Sequence, residues 1–106
     1  MYQVYILQSI KDKRTYVGYT KNLKIRLAEH NLGKVNATKN RRPFKPIYCE
    51  NSLDLKDAKR RESYWKSGGG RRKLKKYFEI GFPPNYSNEL GEALTLSPPR
   101  RSGRPD

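Results

Sequence analysis

Cysteine, histidine and tryptophan each occur once in the 106 residues, and acidic side chains number only 10. Each scarcity excludes something. Cys49 has no second cysteine for an internal disulfide, and with His30 as the only histidine no Cys/His cluster has the spacing of a zinc site. Ile47-Tyr48 before it reads as strand, which makes Cys49 a small core residue. No long apolar run is present. The one that follows Met1 stops at Gln8-Ser9, too short for a membrane span or a secretory leader, so a cytoplasmic location and no membrane partner are expected. Apolar residues make up 34% of the chain, so they must be concentrated in a few segments if it is to fold.

What is abundant is positive charge. Lys and Arg number 24, for a net charge of +14. All of it lies early: residues 1–79 hold 21 Lys+Arg and 7 Asp+Glu, whereas Arg100, Arg101 and Arg104 balance Glu89, Glu92 and Asp106 in the rest. A basic folded domain is the electrostatic footprint of a polyanion binder, and nucleic acid is the commonest polyanion. No long basic helix with a wide apolar face is visible, which counts against a membrane surface.

The local pattern alternates between strand and helix. Tyr2 to Leu7 is β-branched and aromatic, Lys11 to Arg14 is a polar turn, and Thr15 to Thr20 is a second strand, giving an antiparallel hairpin. Thr20 or Asn22 caps a helix carrying Leu23, Ile25, Leu27, Ala28 and Leu32, with Gly33 as its stop. Residues 34–43 form a basic loop. Phe44 to Glu50 is a third strand, and Pro43 and Pro46 suit an edge position. Ser52 or Asp54 caps a helix to about Lys66, anchored by Trp65. Ser67-Gly68-Gly69-Gly70 then breaks the chain as a hinge before a short basic helix from Arg71 to Ile80. The fold class expected is α/β: a small central antiparallel sheet of about three strands flanked by helices. From residue 81 onward Pro, Ser, Asn and Gly prevail, so residues 1–80 read as one domain and 81–106 as a disordered tail. There is no internal repeat.

Five side chains stand out by type and spacing: Tyr5, Tyr16, Arg26, His30 and Glu62. Val4-Tyr5-Ile6 and Tyr16-Val17-Gly18, the stretch from Tyr16 to Arg26, and Arg41-Arg42-Pro43 before the third strand resemble the GIY-YIG nuclease superfamily. The resemblance is to its small stand-alone form, related to the catalytic domain of the excinuclease C subunit, and it covers about residues 1–79. Asn85 and Asn88 in the tail do not match the late asparagine of some members, and Tyr19 stands where some place a lysine.

Arg26 and His30, four apart on a helix, share a face. An arginine fork grips phosphate oxygens, and histidine titrates near neutral pH and relays protons. Glu62 is a hard carboxylate suited to a single Mg²⁺ or Mn²⁺, with waters and substrate oxygens completing the shell. Tyrosine is a poor base at its ordinary pKa, but nearby positive charge favours the phenolate. The resemblance implies that one tyrosine orients or deprotonates the attacking water. Tyr5 is the general base expected, with His30 or Tyr16 assisting.

Lys21, the loop bearing Lys34, Lys39, Arg41 and Arg42, and the run Arg71, Arg72, Lys73 are the candidate contacts to a nucleic-acid backbone. Amides of the glycine run could add a phosphate contact. Contacts of this kind carry no base information, so little sequence specificity is expected. The activity implied is a metal-dependent endonuclease on DNA, as a monomer, in repair or recombination; RNA stays open as a partner. The leading alternative is a weak or inactive binding module that keeps the fold, followed by an RNA-associated structural protein.

Overall fold

The computed structural model describes residues 1–83. The elements run β1 (Tyr2–Ser9), β2 (Thr15–Thr20), α1 (Leu23–Asn31), β3 (Phe44–Ser52), α2 (Leu55–Lys66) and α3 (Gly68–Ile80), with a 3₁₀ turn at Lys39–Arg41. The tail beyond, including Asn85 and Asn88, lies outside the described residues.

The strands form one antiparallel sheet in the order β2-β1-β3. The central strand is sealed on both faces, with Val4, Tyr5, Ile6 and Leu7 each at most 1% exposed. That explains its unbroken apolar run, since alternation is lost when neither face meets water. Tyr5 and Leu7 join Leu23, Phe44 and Cys49 under α1. Val4, Ile6 and Val17 join Ala58, Trp65 and Leu74 under α2 and α3. The molecule is therefore a helix–sheet–helices sandwich, the expected α/β class. Among the described residues no helix is long and apolar enough to cross a membrane.

Local chemistry sets the boundaries. Ser9 Oγ accepts from the Lys11 and Asp12 amides and donates to the Arg41 carbonyl, shaping the β1–β2 turn, where Lys13 takes a left-handed conformation. Of the two cap candidates for α1, Asn22 does the work, accepting from Ile25 N at 3.1 Å. Leu32 ends the helix and Gly33 follows at φ +81°. β3 is an edge strand, as its prolines require, and its register against β1 slips between Ile6 and Leu7 so that Pro46 sits at an irregularity. Asp54 caps α2 by accepting from Asp57 N at 2.8 Å.

One carboxylate joins β3 to α2. Glu50 on β3 accepts from Arg61 through Nε at 2.5 Å and Nη2 at 3.0 Å, from Trp65 Nε1 at 3.1 Å and from the Tyr48 hydroxyl at 3.0 Å. Burial raises its pKa, but the Arg61 fork and the hydrogen bonds from Trp65 and Tyr48 together outweigh that and hold it below the usual carboxylate range.

The glycine run departs from expectation. It is not a hinge: Ser67 alone separates the helices, its Oγ accepts from Gly70 N at 3.3 Å, and α3 begins at Gly68. The reason is packing. A Cβ on Gly70 would lie 2.1 Å from the Tyr64 carbonyl oxygen and 2.6 Å from Trp65 Cα, so only glycine lets α3 fold back onto the last turn of α2. The capped Gly70 amide is also taken up inside the protein, which removes it from phosphate binding.

Gly70→Ala is expected to cost about 2–3 kcal/mol in urea unfolding, because backbone must move to admit the methyl. Gly69→Ala, where the nearest atom would be 3.8 Å away, is expected to be neutral or stabilising by up to ~1 kcal/mol. Equal stabilities for the two variants would show that α3 does not pack on α2 through Gly70.

Candidate active site

The register of the sheet creates the site. Tyr5 on β1 lies opposite Gly18 on β2, and Leu7 lies opposite Tyr16, so both tyrosines share the face that α1 covers. A Cβ at Gly18 would come within 2.5 Å of the Tyr5 hydroxyl and 3.2 Å of the Tyr16 ring. The missing side chain is what allows the Tyr5 phenol to lean across the neighbouring strand.

The helix above is pinned at both ends. Gln3 Oε1 accepts from Leu23 N at 2.9 Å. At the other end the Asn31 side chain pairs with the Phe44 backbone, donating to its carbonyl at 3.2 Å and accepting from its amide at 2.8 Å. Between these ties α1 presents Arg26 and His30. His30 Nε2 is 3.0 Å from the Tyr5 hydroxyl, and its Nδ1 is 2.8 Å from Thr38 Oγ1. Tyr16 meets the imidazole edge-on at 5.0 Å between centroids. Tyr5, His30 and Thr38 are essentially sealed from solvent, whereas Tyr16 and Arg26 are half-buried. Thr38 carried no signal in the sequence beyond a hydroxyl in a basic loop.

The electrostatics differ from the expectation that cations would favour a phenolate. Burial pushes the Tyr5 hydroxyl up to about 12; hydrogen bonding and charge from Arg26 pull it down, and Tyr16 and Glu62 push it further up. Tyr5 therefore keeps its proton at neutral pH. His30 does not titrate near neutrality as a solvated histidine would. Burial and then the Arg26 charge lower it to about 4, outweighing Glu29. Arg26 donates to Glu29 at 2.9 Å, the main reason its own pKa is raised.

Glu62 approaches from α2 on the other side of the sheet. It is half-buried, its Oε2 is 3.4 Å from Lys66 Nζ, and its charge reaches the Tyr5 hydroxyl. Among the described residues no three His, Cys, Asp or Glu side chains cluster as a metal cage. A hard carboxylate half-exposed at a phenol-lined edge fits a magnesium-type ion that keeps most of its waters.

Beside Tyr16 runs a groove of about 630 Å³ between the β1–β2 turn and the α2–α3 pair. Lys13, Arg14, Lys66, Arg71 and Lys75 line it over Val17, Trp65, Leu74 and Phe78, and no acidic residue does so. Of the expected backbone contacts Arg71 lies here, joined by Lys75 from the same basic run of residues 71–76. Arg72 folds back along Gly68, and Lys73 lies over the Tyr77 ring at 6.0 Å. Lys39 and Arg42, with Lys11, line a second, polar cavity of about 570 Å³, and Lys34 is exposed nearby in sequence. Lys21 is exposed over Tyr2. Arg41 is spent on structure: it pairs with Asp12 at 3.0 Å and donates to the Thr15 carbonyl, tying the loop to the hairpin. Sequence reading missed Lys13 and Arg14, whose signal was their place just before Tyr16, and Lys66, one turn after Glu62.

Because the folded His30 pKa lies below its ordinary value of 6.5, the unfolded chain takes up a proton that the folded one refuses. Stability is therefore expected to fall as pH drops from 6.5 towards 4, by up to roughly 3 kcal/mol from this group. Chemical denaturation at a series of pH values should show the decline, and a His30→Gln variant should lose most of it. A His30 ring that titrates by NMR near 6.5 would contradict the burial argument.

The model of the GIY-YIG catalytic domain matches residues 1–77. A UPF0213 protein of Staphylococcus haemolyticus is 42% identical over 73 residues, covering 68% of this chain and 88% of that relative. One from Syntrophus aciditrophicus is also 42% identical over 73 residues, covering 67% and 83%. The solution NMR structure of a UPF0213 protein from Bacillus halodurans is similar at 29% identity and a TM-score of 0.44, covering 92% of this chain and 98% of that one. With nearly three quarters of its length inside the domain match, this chain belongs to the GIY-YIG catalytic domain family, among its small UPF0213 members.

Proposed function

We propose that the chain is a metal-dependent endonuclease that hydrolyses phosphodiester bonds in DNA with little sequence specificity. The observation that carries the reading is the buried Tyr5–His30 pair set beside Arg26, with Tyr16 both against the His30 ring and on the wall of the basic groove.

A Tyr5 hydroxyl that keeps its proton cannot serve as a free phenolate, but it can pass a proton along. As the attacking water approaches, its O–H bond breaks and the proton joins the Tyr5 oxygen. The original Tyr5 proton crosses 3.0 Å to His30 Nε2. The water oxygen forms the new bond to phosphorus, and the bond from phosphorus to the leaving oxygen breaks. Arg26, beside the Tyr5 hydroxyl, would offset with its fork the charge that grows on the phosphate oxygens. Glu62 would hold the Mg²⁺ or Mn²⁺ ion, whose charge lowers the pKa of the attacking water and stabilises the phosphate. A proton on His30 is unfavourable at rest, so it returns to the Tyr5 oxygen while Tyr5 gives up the proton taken from water, which passes through solvent to the leaving oxygen and completes the hydrolysis.

The groove supplies the grip. Five cations over an apolar floor attract a phosphate backbone and read no base edges. The competing reading is a DNA-binding module without turnover, favoured by the Lys66 ammonium 3.4 Å from Glu62.

Purified protein is expected to cut plasmid, branched or single-stranded DNA when Mg²⁺ or Mn²⁺ is present, and to lose the activity in chelator. Glu62→Ala and Arg26→Ala should each lower kcat by about a hundredfold or more while DNA still binds. Cleavage that survives Glu62→Ala would sink the metal assignment. Salt-dependent DNA binding without cleavage by the unaltered chain would favour the binding module.

Lys13→Ala and Arg71→Ala should act differently, raising KM with little change in kcat. Each should also reduce the slope of log affinity against log salt by about 1. Unchanged slopes in both variants would place the backbone elsewhere, with the Lys11, Lys39 and Arg42 cavity next in line.

A further inference from the structure

Thr38 has no part in the mechanism above, yet it is fully buried in a stretch of chain that is mostly exposed and basic. A hydroxyl sealed in such a place is costly unless its hydrogen-bonding capacity is used. Here it is used twice. Thr38 Oγ1 donates to the Val35 carbonyl at 3.4 Å and stands 2.8 Å from His30 Nδ1.

A hydroxyl has one proton. With that proton directed at Val35, what faces His30 is an Oγ1 lone pair, so Nδ1 must carry the hydrogen of the bond between them. A neutral imidazole has only one such hydrogen. Nε2 is then bare, and it is Nε2 that faces the Tyr5 hydroxyl at 3.0 Å. In that tautomer the donors run one way: Tyr5 to His30, His30 to Thr38, Thr38 to the backbone of residue 35.

We infer that Thr38 is a positioning residue that locks His30 in the Nδ1–H tautomer and thereby sets the direction of the Tyr5–His30 hydrogen bond. The direction has consequences for the reaction, and this part rests on the nuclease reading. With the lock in place, Nε2 is free to take the Tyr5 proton, and the Tyr5 oxygen turns its lone pairs towards Arg26 and the incoming water. With the opposite tautomer, Nε2–H would donate to the Tyr5 oxygen. The phenol proton would then point into the cleft, and the histidine would have no site on that side to receive it. The chain also ends at a carbonyl, which cannot pass a proton on, so whatever His30 accepts returns by the same route.

The test separates the tautomer from the activity. In full-length protein labelled with ¹⁵N at histidine, the ring spectrum near neutral pH is expected to show a protonated Nδ1 and a bare Nε2 for the unaltered chain and for Thr38→Ser. Thr38→Val keeps the volume and removes the hydroxyl, and its spectrum is expected to show a proton on Nε2, wholly or in part. On DNA, Thr38→Val should lower kcat roughly ten- to a hundredfold with KM nearly unchanged, and Thr38→Ser should restore it. A proton on Nε2 in the unaltered chain overturns the inference, even if Thr38→Val does not fold. So does a folded Thr38→Val with the original ring spectrum and original turnover. If the ring spectra follow expectation while the unaltered chain cuts no DNA, the tautomer lock stands and the nuclease reading falls.

Discussion

The contact on which the rest of the structure depends is the hydrogen bond between Tyr5 on the central strand and His30 on α1. Each group alone would be a liability. A phenol and an imidazole sealed among Leu7, Leu23, Phe44 and Cys49 would each be expensive without a partner. Together they satisfy one another, and Thr38 takes the remaining ring nitrogen. The pair therefore dictates how α1 lies on the sheet, and the ties from Gln3 and Asn31 hold the helix in the pose that the pair requires. Arg26, one turn earlier on the same helix, is carried to the Tyr5 hydroxyl as a consequence.

This arrangement places a neutral centre inside a strongly positive domain. Cationic surroundings oppose a proton on His30, and burial opposes it more. Positive charge favours a Tyr5 phenolate, yet burial outweighs that as well. Desolvation thus decides the resting protonation of both groups, and both stay uncharged. The charged groups work from the rim, where water keeps their burial cost low: Lys13, Arg14 and Arg71 along the groove, Arg26 and Glu62 closer in. The one carboxylate taken deeper, Glu50, is accompanied by the Arg61 fork, Trp65 and Tyr48, and its task is to join β3 to α2.

Much of this was legible in the sequence, because local rules and tertiary demands coincide there. Asn22 and Asp54 stand where a cap is needed, and both cap. Pro46 cannot serve a central strand, and β3 is an edge. Tyr5, Tyr16, Arg26 and His30 were visible as a set from their order and spacing, and the sheet register and α1 bring those four together. What was not legible is what depends on neighbours distant in the chain. Nothing near Arg41 announces that Asp12 and the Thr15 carbonyl will claim its guanidinium. The pKa values of Tyr5 and His30 follow from how deeply each is sealed, which spacing does not encode. Thr38 looks like any loop hydroxyl until His30 is laid against it.

Glycine shows the same division most sharply. Read locally, Gly68-Gly69-Gly70 is a breaker, because glycine is the poorest ordinary helix former. The helix forms there anyway, since the space at Gly70 is already occupied by the backbone of Tyr64 and Trp65 and any side chain would drive the helices apart. Gly18 does in the sheet what Gly70 does at the helix joint. It is a gap left for something else, in this case the Tyr5 phenol. Both positions have ordinary backbone conformations, unlike Gly33, whose positive φ the local rule for a helix stop anticipates. Two of these three glycines are therefore explained by the space a partner occupies, the backbone of Tyr64 and Trp65 in one case and the Tyr5 phenol in the other. That is why a rule about chain flexibility accounts for Gly33 and misreads Gly70, and why the glycine of the second motif belongs to the chemistry of the site although it has no side chain to contribute.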